Sequence, residues 1–157
     1  MKIIKTQRLI LREIEIEDAK DIYFVAHNKE VAEFLPYIYF ENMYEVKHFI
    51  NRIKENTIYE GQFVIISKNE VVGLITYIKL VNKTIEIKVI IAEKHRGNGY
   101  AVEAIQALKD ALKVKSSGKG CTLICAKNNE ASRNMIKKLN PRSQDKYEGN
   151  FQVFVIN

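Results

Sequence analysis

Six consecutive residues, Arg96-Gly97-Asn98-Gly99-Tyr100-Ala101, combine a permanent cation with two glycines. Arginine holds its charge at any working pH, and glycine lets a ligand approach the main chain closely. Together they suit a phosphate. The flanking residues point the same way. Ile85-Glu86-Ile87-Lys88-Val89 alternates as a strand does and runs on through Ile90-Ile91-Ala92, whereas Ala101, Ala104, Ile105, Leu108 and Leu112 recur at helical spacing. Strand, glycine turn and helix, in that order, leave the first helical N–H groups without internal partners and aim the positive end of the helix dipole at the turn. Two nucleotide patterns do not fit the spacing. Gly118-Lys119 is followed by Gly120 where a Walker loop needs Ser or Thr. Val102 stands where a dinucleotide fingerprint has its third glycine or alanine, and the unit falls late in the chain.

Other reactive side chains form no set. Cys121 and Cys125 lie four apart in an apolar segment, where a strand puts both on one face, and no histidine is near enough in sequence to complete a metal set. They are expected as reduced core residues, and no metal site is expected. His27, His48 and His95 are read as surface residues. The net charge of +6 is unevenly spread: residues 1–60 hold nine Lys or Arg against eleven Asp or Glu, whereas residues 109–157 hold ten against four. No aromatic residue falls between Lys109 and Lys138, so the stacking platform of a nucleic-acid binder is missing there. The basic C-terminal part is a solvated face or an attractor for a phosphorylated cofactor, and the acidic first part tolerates a cationic acceptor.

These pieces need a scaffold of ordinary size. With 157 residues, 46% apolar and 28% charged, the chain reads as one soluble domain over residues 1–157. There is no apolar run of about 18 residues, and Met1-Lys2-Ile3-Ile4-Lys5 lacks the apolar stretch of a secretory signal. A cytoplasmic protein without a membrane segment is the expectation. Along the chain, Arg8 to Arg12 reads as a strand, Glu15 to Asp18 as an acidic helix start, and Ala19, Ile22, Tyr23 and Ala26 as the buried face of the helix. A second short helix from Lys29 ends before Pro36, Pro36 to Phe40 is an aromatic loop, and Val46, Phe49, Ile50 and Ile53 mark a third helix ending near Asn56. The aromatic loop is packing or the wall of an acceptor pocket.

Phe63 to Ile66, Val71 to Ile78 and Thr84 to Ala92 read as an antiparallel meander with turns at Lys68-Asn69-Glu70 and Val81-Asn82-Lys83. Alternation breaks at Val89-Ile90-Ile91, which fits either a bulge or a strand end buried on both faces; a bulge is inferred. After the loop Ser116 to Gly120, Cys121 to Ala126 is a further strand, parallel to its predecessor through the helical crossover. A last helix from Asn129 carries Ser132, Met135, Ile136 and Leu139 inward and stops at Asn140-Pro141, before a hairpin over Gln144 to Ile156.

That order of elements resembles the GNAT superfamily of acyl-coenzyme A N-acyltransferases from end to end. Thr6 to Arg12 with Glu17-Asp18-Ala19, Glu86-Ile87, Arg96 to Ala104, Asn129 to Ser132 and Lys138-Leu139 resemble its ribosomal-protein acetyltransferase branch, which acetylates protein N-terminal amines. The resemblance implies an α/β (α+β) fold with a mixed, mostly antiparallel sheet of about six to seven strands, helices on both faces and a bulged strand splaying the sheet. It implies acetyl-coenzyme A as cofactor, its pyrophosphate held by the backbone of Gly97, Asn98, Gly99, Tyr100 and Ala101 with Arg96 adding charge. Val89, Ile90 and Ile91 would pair with the pantetheine arm, and Asn129 and Ser132 match cofactor contacts of relatives. Glu86 would accept the amine's proton, its alternative being a strand carboxylate paired with Lys88. Ser132 would protonate the leaving thiolate, its alternative being a hydroxyl that caps or back-bonds in its helix.

The chain departs from the pattern at several positions. Ile136 replaces a tyrosine acid, Asn140-Pro141 a glycine-phenylalanine ending, Lys88-Val89 a glycine-tyrosine, and His95 a residue that is often aromatic. The implied acceptor is a primary amine, a peptide N-terminus ahead of a polyamine, aminoglycoside or amino-acid derivative. A non-catalytic coenzyme A-binding module is the competing class. No pattern specifies an oligomeric state.

Overall fold

The computed structural model describes residues 3–55, 60–80, 84–112 and 120–156. The expected helix end at Asn56, the turn Val81-Asn82-Lys83 and the loop residues Ser116 to Lys119 lie outside them. The elements are β1 (Ile3–Lys5), β2 (Ile10–Glu13), α1 (Ala19–Ala26), α2 (Lys29–Phe34), α3 (Met43–Glu55), β3 (Glu60–Ser67), β4 (Glu70–Lys79), β5 (Ile85–Ile91), α4 (Tyr100–Ala111), β6 (Cys121–Ala126), α5 (Glu130–Lys137), β7 (Ser143–Glu148) and β8 (Phe151–Ile156). All eight strands form one sheet in the order β1-β2-β3-β4-β5-β6-β8-β7.

The eighth strand is β1, which the sequence reading left out. Thr6 makes it possible: its N–H donates to the Leu9 carbonyl at 2.9 Å and its hydroxyl oxygen accepts from Leu9 N–H at 2.8 Å, folding Ile3–Lys5 back onto β2. Asp18 then starts α1. It accepts the Glu15 backbone N–H at 2.8 Å and a two-pronged Arg12 guanidinium at 2.7 Å per contact, so a buried carboxylate has all its partners. Asn28 caps α2 by accepting from Val31 N–H at 3.0 Å. Asn140 adopts φ +49° after α5, the left-handed stop its side chain tolerates.

The sheet separates two cores, so helices cover both faces as expected. Phe63, Ile65, Ile75, Ile87 and Leu123 pack with Ala104, Ile105 and Leu108 of α4 and Ile136 of α5. Val64, Leu74 and Ile90 pack on the other face with Ile22 and Val25 of α1 and Val46 and Ile50 of α3. Each fully buried Ile or Leu contributes about 1.5–3 kcal/mol of transfer free energy.

The inferred bulge is not in β5. Its ladder with β4 is unbroken from Lys79↔Ile85 to Gly73↔Ile91. Alternation breaks because Val89 and Ile91 face one core and Ile90 the other, so the strand end is buried on both sides. The sheet does hold an irregularity one ladder away, where Ile65 pairs with Gly73 but Ile66 with Val71, leaving Val72 extra in β4.

Candidate functional site

β5 and β6 part company after two residues. They pair in parallel at Ile85↔Cys121 and Glu86↔Thr122 and make no further ladder pair among the described residues. Beyond that point β5 remains paired with β4, and β6 with β8 as far as Ala126↔Phe151. A gap therefore opens between Ile87–Ile91 and Leu123–Ala126, with Glu86 at its closed end. The expected splay is present, and the residues foreseen as a binding edge, Val89, Ile90 and Ile91, lie along it.

At the open end of β5 the chain turns through Glu93–His95 into the glycine loop. Gly97 has φ +80° and Gly99 φ +78°, a region that costs a side-chain-bearing residue about 1–2 kcal/mol. Nothing lies within 4 Å of where a Cβ on Gly97 would stand, so the main chain there is open to a ligand. Gly99 caps α4 without a side-chain hydrogen bond, leaving the first-turn amides to an outside acceptor. Loop side chains turn away from that concavity. Asn98 Nδ2 donates to the carbonyls of His95 at 2.9 Å and Arg96 at 3.3 Å, and Tyr100 Oη accepts from Ser67 Oγ at 3.3 Å. Open main chain at Gly97 and the first-turn amides of α4 are left to meet an anion here, which is what a diphosphate needs.

A second cation escaped the sequence reading. Arg8 donates from Nη1 to the Asn98 carbonyl at 2.9 Å, lies 5.2 Å from the Tyr100 ring centroid and pairs with Glu103 at 2.6 Å. Glu103 also accepts from Thr6 Oγ1 at 2.5 Å and from Arg8 N–H at 3.1 Å. Burial opposes the charged form of Glu103, but the hydrogen bonds from Thr6 and Arg8 outweigh it and hold the carboxyl below the usual range. The β1–β2 turn is thereby clamped to the first turn of α4. Arg96 itself is held at Nε by the Ile91 carbonyl at 3.2 Å, with Nη1 2.5 Å from Glu30.

The two side chains assigned chemistry both have neighbours. Glu86 is 13% exposed and its Oε1 lies 2.8 Å from Lys88 Nζ, on the face shared with Ile90. Ser132 gives its backbone N–H to Asn129 Oδ1 at 3.0 Å, so Asn129 is the cap of α5. Burial raises the Cys125 thiol, and the neighbouring Ser132 hydroxyl partly offsets this. Cys121 is raised to about 11 by burial alone against a small opposing pull from Lys109, and both cysteines are free and buried, as expected.

On the helix side, Tyr23, His27 and Tyr39 stack with centroids 4.7 and 5.3 Å apart. His27 Nδ1 is 2.8 Å from the Phe40 carbonyl, so that nitrogen carries the hydrogen. Ile38 and Phe40 are buried, which makes this part of the aromatic loop packing, while Tyr39 joins the stack. His95 is a correction: its ring is 18% exposed, and its Nε2 is buried 3.3 Å from Glu70. It is half-buried against Glu70 of β4 instead of standing free on the surface. The Lys94 hydrogen bond, with His95 beside it, lowers the exposed Glu70 carboxyl. An open pocket of about 580 Å³ beside it, lined by Asp21, Phe24, Val71 and Glu93 among others, contains none of the residues assigned to cofactor or catalysis. Among the described residues no His, Cys, Asp and Glu cluster could hold a metal, and no helix is long and apolar enough to cross a membrane.

Comparison with known proteins follows the same geometry. The acetyltransferase (GNAT) domain profile matches residues 8–140. An uncharacterized N-acetyltransferase, p20, of Bacillus licheniformis is 32% identical over an alignment of 117 residues, the match covering 70% of this chain and 65% of that protein's length. The chain thus spans less than two thirds of that relative. A GNAT-family acetyltransferase of Bacillus anthracis superposes with a TM-score of 0.78 at 25% identity, over 98% of this chain and 97% of its own. The acetyl transferase of Salmonella typhimurium that modifies the N-terminal serine of 50S ribosomal subunit protein L7/L12 gives 0.77 at 20% identity, over 99% and 100%.

Proposed function

This chain belongs to the acetyltransferase (GNAT) domain family, and from that we propose that it is an acetyl-coenzyme A-dependent N-acetyltransferase whose acceptor is a primary amine, a peptide or protein N-terminus first among them. The observation that carries this reading is the pair of left-handed glycines, with open space above Gly97, at the end of a strand that has let go of its neighbour. Bound acetyl-coenzyme A supplies an activated acetyl thioester. The amides of Gly97 to Ala101 and the guanidinium of Arg96 hold its pyrophosphate. The free edge of β5 at Val89, Ile90 and Ile91 takes the pantetheine arm as an added strand and offers N–H groups to the acyl oxygen. Holding both reactants in one gap makes the attack effectively unimolecular.

Glu86, at the closed end of the gap, takes the proton that the amine must lose. To do so it exchanges the Lys88 ammonium for that of the acceptor. Ser132 delivers a proton to the departing thiolate from its hydroxyl, which neighbours the Cys125 thiol. The N-terminal acceptor is supported by the Salmonella relative's stated target, and by the acidic first part of the chain that suits a cationic substrate. Two buried, unpaired cysteines suit a reducing compartment, so the cytoplasm is the proposed location.

One observation favours a second reading. Glu86 and Ser132 are both engaged by neighbours, as they would be in a coenzyme A-binding module without catalysis. Calorimetric titration with acetyl-coenzyme A, followed by turnover assays with a peptide amine and a polyamine, separates the two. Saturable binding that Gly99→Glu abolishes is the expected result; a folded wild-type protein that binds nothing overturns the enzyme reading, and binding without turnover of any amine moves the module to first place.

A further inference from the structure

Arg96, the cation assigned to phosphate, already has an anion beside it. Glu30 of α2 places Oε2 2.5 Å from its Nη1, while the Arg96 stem is fixed by the Ile91 carbonyl. One helical turn along α2, Glu33 Oε1 accepts from Asn128 Nδ2 at 3.5 Å. Arg96 follows β5 and Asn128 follows β6. The short helix α2 therefore lies across the open end of the gap, tied to the exit of one strand through Glu30 and to the exit of the other through Glu33.

We propose that Glu30 stands in for the cofactor's phosphate at Arg96, so that cofactor binding displaces its carboxylate and releases the N-terminal end of α2 from the mouth of the gap. This rests on the reading that Arg96 and the glycine loop hold a pyrophosphate. The exchange is easy in energy and definite in direction. The Glu30 and Arg96 side chains are 61% and 38% exposed, so their pair is weak and screened by salt. A diphosphate brings more charge and also meets the amides at the start of α4, which Glu30 does not touch. Coupling then works both ways: whatever holds α2 on Arg96 weakens cofactor binding, and cofactor loosens α2. Immediately before α2 come Asn28, which caps it, and His27, the middle ring of the aromatic stack. Glu30 is thus a positioning residue through which an occupied cofactor site is reported to the acceptor side.

Calorimetric titration with coenzyme A tests this on wild type, Glu30→Gln, Arg96→Ala and the double variant, with thermal unfolding of each as a control for folding. Glu30→Gln is expected to bind about two- to fivefold more tightly at low salt, with the gain fading at high salt and disappearing when Arg96 is already alanine. A merely structural glutamate would not produce tighter binding on removal. Unchanged or weaker binding by Glu30→Gln, while the wild type binds, overturns the exchange and leaves the cofactor reading standing. An equal gain in the Arg96→Ala background also overturns it. Failure of the folded wild type to bind coenzyme A overturns both.

Discussion

The glycine loop proposed to hold phosphate and the wall formed by α1, α2 and α3 are built by opposite means. The loop is contiguous in sequence and presents main chain: two glycines at positive φ, an open approach above Gly97, and side chains turned away to brace it. The wall is assembled from separate elements and presents side chains, with Tyr23 from α1 and Tyr39 from the loop after α2 each stacked on His27 between the two helices. Backbone recognition suits a group that never changes, since a pyrophosphate asks only for N–H donors and positive charge. Side-chain recognition suits a partner that differs from one relative to another, because single substitutions can reshape it without disturbing the sheet.

Changes at the loop should abolish cofactor binding, and changes at the wall should alter acceptor use alone. Gly99→Glu is the largest. A side chain at φ +78° costs about 1–2 kcal/mol of stability, and a carboxylate aimed at a phosphate site should remove measurable acetyl-coenzyme A binding in calorimetry. Glu86→Gln comes next, and it divides binding from chemistry: kcat should fall roughly hundredfold or more with cofactor affinity unchanged, and an unaltered kcat would show that Glu86 is not the base.

Glu103→Gln removes the clamp between the β1–β2 turn and α4 and should lower stability by about 1–3 kcal/mol. Because the folded carboxyl lies below its ordinary range, the charged clamp contributes fully above the unfolded value and is lost as pH falls through the lowered folded value. The variant should therefore show a flatter acid limb in thermal melts. Tyr39→Ala is the smallest. Losing one ring of the stack should raise the acceptor KM by about two- to tenfold and leave cofactor affinity alone; a matching loss of cofactor affinity would erase the distinction between the two regions.

How far the sequence could be read follows the same division. The glycine loop, the buried face of α4, the start of the last helix near Asn129 and its stop at Asn140 were legible because each depends on residues a few positions apart. Arg8 and Glu103 were not, since 95 residues separate them and neither is unusual in its own neighbourhood. Arg96 was read as part of the glycine turn, but its partnership with Glu30 spans 66 residues and left no local trace. The break in alternation at Val89-Ile90-Ile91 was seen but misassigned, because a one-dimensional pattern cannot separate an added residue from a strand wanted by two cores. The irregularity at Val72 was hidden in an unbroken apolar run, where alternation has no contrast. Half-buried His95 was missed for a related reason: the position reads as a polar turn, and only the fold brings Glu70 to it.

Hydrogen bonding across the middle of the sheet lapses after two residue pairs, and continuity there passes to apolar packing, with Ile87, Leu108 and Leu123 in one cluster beneath the gap. Ladder bonds are directional and resist rotation, whereas packed methyl groups tolerate small sliding. The junction at Glu86 and Thr122 is in that sense a hinge, with the blade β1 to β5 on one side and the blade β6, β8, β7 on the other. Its pivot coincides with the candidate proton acceptor, so a small opening or closing of the blades changes the width of the gap while moving Glu86 least.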